Sequence, residues 1–200
     1  MITLIIVDCQ NDFITGTMSV KNARNVVDEI KKFIKKNKEN ISKIIFTVEW
    51  HPYNHSSFKR YGGEWPLHCV QYTPGACIEP KLLKFVQSMN IDYEVSTRGE
   101  IEEVTELGAF NDIELVIDEL GQRYYFDSLV TANGNTEFVI CGISNSTIST
   151  IKNMLKEGII PKIVNNCIIS NDGGKLFHEF VRENKLEKFD EIKDEKSYQK

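Results

Sequence analysis

Short apolar runs rich in Ile and Val recur at residues 3–7, 43–48, 93–96, 138–141 and 162–164, and longer amphipathic stretches separate most of them. Mostly apolar runs suit strands covered on both faces, and that alternation predicts an α/β chain with a parallel sheet and crossover helices. Helical spacing is clearest through Val26, Val27, Ile30, Phe33 and Ile34, through Leu82, Leu83, Phe85 and Val86, and through Ile151, Met154 and Leu155. A last helix is expected over 176–181, ahead of a charged tail. With 200 residues, 41% of them hydrophobic, one core can form, so residues 1–200 read as a single domain.

In open parallel sheets, ligands bind in the crevice beyond the carboxyl ends of the strands. Asp8, Glu49, His51 and Arg98 all follow apolar runs, and so does the segment after Gly142. The stretch 50–76 collects three Pro, three Gly, both Trp and three His without sustained periodicity. A loop that long inside a compact domain usually carries function, which marks 49–77 as an active-site loop.

Glu49 and His51 are two apart on an extended chain and so share a face, as an O,N pair of metal ligands requires. His68, further along the loop, can close a third position. One oxygen and two nitrogens leave coordination sites open, which suits a catalytic Zn, Mn or Fe ion. Spacing alone equally allows both histidines to hold loop carbonyls and Glu49 to be a solvated strand end.

Composition removes several classes of function. The 24 basic and 29 acidic residues give a formal charge of −5 with no basic stripe, which argues against nucleic acid. The opening apolar run is short and meets Asp8 at once, so neither a leader nor a membrane anchor is expected, and the cytoplasm is the expected location. Cys9, Cys69, Cys77, Cys141 and Cys167 are odd in number and lack CxxC spacing, and are read as free, mostly buried thiols. The oligomeric state is left open, a homo-oligomer included.

Three stretches carry a resemblance: Val7-Asp8-Cys9-Gln10-Asn11-Asp12-Phe13; then Thr47-Val48-Glu49-Trp50-His51-Pro52-Tyr53-Asn54-His55-Ser56-Ser57-Phe58; then Trp65-Pro66-Leu67-His68-Cys69-Val70 with Gly75-Ala76. Arg98-Gly99, Gly108-Ala109-Phe110 and the run from Val139-Ile140-Cys141-Gly142 to Gly158 extend it. Together they resemble the nicotinamidase branch of the isochorismatase-like cysteine hydrolases. The resemblance implies a three-layer fold around a mainly parallel six-stranded sheet with helices on both faces. It also implies an amidohydrolase of NAD metabolism that splits a small aromatic amide, nicotinamide to nicotinate and ammonia, through a thioester, using a Cys, an Asp base and a Lys. Asp, His and His would hold a divalent ion that positions the ring nitrogen of the substrate.

Carried onto this chain, Asp8 matches the base, while Glu49, His51 and His68 fall on the metal ligands and Phe13 and Trp65 on the aromatic walls of the pocket. Glu49 replaces an Asp, and its extra methylene shifts the carboxylate by about a bond length, which a hard O-ligand site can absorb if the backbone retreats. Arg98 stands at the Lys position, where a permanently charged fork replaces a compact donor that can shift its pKa.

No cysteine stands at the nucleophile position. Counting back from Gly158 puts that position on Ser146, and counting forward from Gly142 puts it on Ile148, because the intervening loop is two residues shorter than in the family. A loop absorbs a deletion more easily than a helix does, which favours Ser146. Asn145, Ser146 or Thr147 would equally serve as the N-cap of the following helix. Cys141, one residue before Gly142, is expected to point into the sheet. The competing expectation for the whole chain is a degenerate member that keeps fold, metal and pocket as a ligand-binding or assembly module.

Overall fold

The structure, a computed structural model, describes residues 1–103, 108–110, 115–118, 123–125, 136–143, 145–170 and 172–189. Five strands, β1 (Ile2–Val7), β2 (Ile41–Glu49), β3 (Asp92–Arg98), β6 (Glu137–Ile143) and β7 (Lys162–Ile169), run parallel. Beyond β3, β4 (Leu115–Asp118) and β5 (Arg123–Tyr125) add antiparallel, giving the order β5-β4-β3-β2-β1-β6-β7. Among the described residues the sheet therefore has seven strands rather than six; the excess lies in the antiparallel pair, whose strands of four and three residues are too short for periodicity to mark.

The five apolar runs all fall within the parallel strands, and the four predicted helices form. They follow a one-turn α1 (Asn11–Ile14) as α2 (Ala23–Asn37), α3 (Pro80–Ser88), α4 (Ser146–Lys156) and α5 (Lys175–Glu183). Alternation along β1 shows the layering: Ile2, Leu4 and Ile6 pack with Val26, Ile30, Ile34, Leu82 and Val86 of α2 and α3. Ile5 and Val7 pack with Ile151 and Met154 of α4 and Phe177 and Phe180 of α5. Each such side chain taken fully out of water contributes roughly 1.5–3 kcal/mol, so both helical layers are held mainly by this burial. Local chemistry sets the helix starts as well. Pro80 occupies the first turn of α3, where no amide is missed, and the Glu79 carboxylate accepts from the Leu82 amide at 2.7 Å. The tail from residue 190 lies outside the described residues.

From β1 the chain builds outward through β2 and β3 on one side and through β6 and β7 on the other. The sheet thus changes direction between β1 and β6, and the crevice of such a sheet opens at that point. Val7 pairs with Gly142 in register there, so Asp8 and the segment leading to α4 leave the sheet side by side.

Gly142 has φ +150, and a Cβ on it would stand 2.4 Å from the Val7 carbonyl oxygen. Replacing it with Ala must push β1 and β6 apart just below the crevice. Gly142→Ala is expected to cost about 2–4 kcal/mol in urea unfolding; a change within about 0.5 kcal/mol contradicts the close approach.

Candidate active site and metal centre

Four parallel strands deliver the site. Asp8 follows β1, Glu49 ends β2, Arg98 ends β3, and Ser146 opens α4 after β6. Asp8 has φ +53, a left-handed conformation that Asp tolerates better than most residues but that still costs energy. Its carboxylate and the Arg98 guanidinium are fully buried, with Nη2 of Arg98 donating to Oδ2 at 2.6 Å. The same nitrogen donates to Oε1 of Glu49 at 3.0 Å. Arg98 therefore ties the matched base to the first of the metal-ligand candidates.

The other oxygen of Glu49 faces two imidazoles. Oε2 lies 3.2 Å from Nε2 of His51 and 2.9 Å from Nε2 of His68. Each ring is fixed from behind: Nδ1 of His51 donates to the Gly99 carbonyl at 3.0 Å and Nδ1 of His68 to the Pro66 carbonyl at 2.8 Å. With Nδ1 carrying the proton of a neutral ring, both Nε2 lone pairs converge on a carboxylate oxygen. They repel unless a proton or a cation lies among them. One ligand atom from each residue falls within 4.8 Å of the other two, and all three residues are buried. This O,N,N donor set with both rings oriented from behind fits a divalent ion. Gly99 is required in that arrangement, since at φ +68 a Cβ would lie 2.4 Å from the His51 ring.

Electrostatics follow from the same contacts. Burial works to raise the Glu49 pKa, but hydrogen bonds from His51 and His68 and the charge of Arg98 outweigh it, holding the carboxyl well below its usual 4.5. Burial works to lower the His68 pKa, and the hydrogen bond and charge of Glu49 reverse this, lifting it above the ordinary 6.5.

The extra reach of Glu49 is taken up by its side chain. The β2–β3 register continues through Glu49 and Arg98, and the Gln10 carboxamide clamps the Glu49 backbone from the other side. Oε1 of Gln10 accepts from the Glu49 amide at 2.8 Å, and Nε2 donates to the Glu49 carbonyl at 2.7 Å.

The aromatic candidates flank the triad unequally. Phe13 is buried and meets the His68 ring edge-on at 6.0 Å. Trp65 is 40% exposed and bridges to Phe58, whose buried ring packs against His51 and His68 at 5.6 and 5.3 Å. The segment 108–110 lies on α4, with the Ala109 amide donating to Oγ1 of Thr150 at 3.0 Å and Asn153 donating to the Ala109 carbonyl at 2.9 Å.

Ser146 is the first residue of α4 and half-buried, so it is not the N-cap; Asn145 holds that place and makes no side-chain capping bond. Ile148 packs against the apolar cluster beneath α4, which favours Ser146 over it as the residue at the crevice. Cys141 points into the sheet as expected, its Sγ 3.6 Å from the Ile5 carbonyl. Burial pushes the thiols of Cys9, Cys69 and Cys141 well up and that of Cys167 to about 12, while Cys77 is exposed.

Sequence reading overlooked Gln10, Asp12 and His55. All three stand inside the quoted motifs, yet none of them ends a strand or completes a ligand spacing. His55 is fully buried, its ring 4.3 Å from that of His51 and its Nδ1 2.7 Å from the Ser57 hydroxyl.

The isochorismatase-domain family model matches residues 3–92. In sequence, the chain is 27% identical to the nicotinamidase of Saccharomyces cerevisiae over 56% of its length and 63% of that protein. It is 34% identical to the nicotinamidase of Escherichia coli over 40% of its length and 45% of that protein. These matches span less than two thirds of either relative. In structure, the yeast nicotinamidase bound to the inhibitor nicotinaldehyde superposes with a TM-score of 0.78 at 20% identity, over 95% of this chain and all of that one. Residues 3–92 are thus similar to the isochorismatase domain, and the chain shares the fold of these hydrolases. A second structural neighbour is a pyrazinamidase of Pyrococcus horikoshii solved in complex with zinc. It has a TM-score of 0.71 at 24% identity, and the match covers 92% of this chain and 96% of that one. Among the described residues no helix is long and apolar enough to cross a membrane.

The pH dependence follows from the two shifts. Without metal, the raised His68 stabilises the fold fully below pH 6.5 and loses that contribution as pH climbs through its folded value. The lowered Glu49 stabilises above 4.5 and loses its contribution as pH falls through its folded value. A metal ion competes with the His68 proton, so its effect runs the other way. The rise in thermal midpoint on adding zinc is expected to be small near about pH 5.5 and to grow through about pH 8. A rise that is equal at both contradicts His68 as a ligand.

Proposed function

We propose that this isochorismatase-like protein is a metal-dependent hydrolase of a small aromatic amide, with nicotinamide as the leading substrate. The observation that carries the reading is the joining of Asp8 to the Glu49, His51 and His68 cluster through Arg98, at the crevice between β1 and β6. Sequence similarity to two nicotinamidases supports the substrate class, and the zinc-bound structural neighbour supports zinc among the candidate ions.

Glu49, His51 and His68 would hold the ion, which supplies a Lewis-acid anchor for a ring nitrogen. Phe13 and Trp65 supply aromatic surface for a flat ring. Ser146 takes the place of the nucleophile. Its hydroxyl oxygen bonds to the amide carbon while Asp8 accepts the hydroxyl proton. The positive end of the α4 dipole would stabilise negative charge building on the carbonyl oxygen. The proton then passes to the leaving nitrogen as the C–N bond breaks, releasing ammonia, and water cleaves the resulting ester. Arg98 keeps Asp8 ionised but gives up no proton itself, because a guanidinium stays charged.

A second reading, a ligand-binding member without turnover, draws on one specific observation. A carboxylate is a weak base for a serine hydroxyl, and the described thiols are buried and raised or, for Cys77, out on the loop. Ammonia release from nicotinamide by zinc- or manganese-loaded protein separates the two. Hydrolysis predicts steady release that falls at least about 100-fold in Asp8→Asn. Retention of nicotinamide without release, with turnover appearing in Ser146→Cys, establishes the second reading instead.

A further inference from the structure

Asp12 is the second residue of α1, is 8% exposed, and lies outside the set of ligands and reacting groups. Its carboxylate is nonetheless where the α1 turn meets the loop that carries His68. Oδ2 accepts from the Cys69 amide at 2.7 Å, and Oδ1 accepts from the Thr17 amide at 3.2 Å. A Cβ built on Gly75 would lie 2.1 Å from Oδ2 and one built on Gly16 2.2 Å from Oδ1, so the carboxylate fills a space kept open by two residues without side chains.

The bond to Cys69 matters because of the shape of the chain there. Cys69 has φ +45, a conformation that a residue with a Cβ adopts only where its surroundings hold it. Its two backbone groups are held from two directions. The carbonyl accepts from the His51 amide at 3.0 Å, and the amide donates to Asp12. His68 immediately precedes this residue, and its Nε2 stands 2.9 Å from Glu49. The rotation about Cys69 therefore bears directly on where the His68 ring lies, and one carboxylate from outside the loop fixes it.

We propose that Asp12 is a positioning residue for the metal centre, acting through the Cys69 amide to hold His68 in line with Glu49 and His51. The inference rests on the reading of those three residues as ligands. It adds a residue that touches neither ion nor substrate and whose contribution is preorganisation of the turn. Gln10 does the corresponding service for Glu49, so the stretch from Gln10 into α1 holds the backbone at two of the three ligand candidates.

Cobalt(II) titration of the full-length protein, followed by visible absorption, tests this. Wild type is expected to take up one ion with an absorption band that reports its coordination. Asp12→Ala is expected to bind about 10- to 100-fold more weakly with an altered band, while far-UV circular dichroism stays that of the folded protein. Asp12→Asn, which keeps an acceptor oxygen for the Cys69 amide, is expected to recover part of the affinity. Gly75→Ala leaves the charge of Asp12 unchanged and drives its carboxylate off Cys69, so it is expected to weaken binding in the same direction, and it decides the matter if the Asp12 variants do not fold. Wild-type affinity and band in Asp12→Ala, or in Gly75→Ala, overturn the positioning role. Wild-type protein that takes up no cobalt overturns the ligand reading itself, a separate and recognisable failure.

Discussion

One buried guanidinium organises the crevice. Arg98 spends a single nitrogen on two carboxylates that β1 and β2 bring to the same point, Asp8 at 2.6 Å and Glu49 at 3.0 Å. Two carboxylates out of water repel one another, and each costs several kcal/mol to desolvate unless a cation compensates. Because a guanidinium cannot lose its proton, that compensation is permanent, and Glu49 stays ionised with its second oxygen turned toward His51 and His68. The base position and the ligand cluster are in this sense one electrostatic unit, and the parallel strand ends are the scaffold that keeps its parts in register.

Much of this was legible in the sequence, for reasons that differ by element. The parallel strands announced themselves because strands covered on both faces must be largely apolar, as residues 4–7 and 44–46 are. The antiparallel strands β4 and β5 span only four and three residues, too few for periodicity to mark them as a pair. Glu49, His51 and His68 were readable because ligand chemistry restricts residue type and because strand geometry restricts spacing. Gln10 and Asp12 were not, since both work on backbone amides and carbonyls contributed by distant segments, and a backbone group leaves no mark on the sequence that supplies it. The Gln10 clamp that fixes the Glu49 backbone comes from a residue 39 positions away.

The two departures at the centre pull in different directions. Glu49 in place of a shorter acid is absorbed without loss of the ladder, and the donor set it completes is well formed. Ser146 opens α4, where helix amides favour negative charge, but the nucleophile proposed there is a hydroxyl, which ionises far less readily than a thiol. The scaffold and the metal-binding geometry thus depend on parts that are all present, while the rate of any covalent step depends on how well Asp8, already bound to Arg98, can take a proton from Ser146.

X-ray absorption at the zinc edge, on protein loaded with one equivalent of zinc, tests the central arrangement most directly. The account predicts a first shell of nitrogen and oxygen at about 2.0–2.2 Å with the outer-shell scattering of two imidazoles and no sulfur. A sulfur contribution, fewer than two imidazoles, or zinc that does not bind at one equivalent would contradict it.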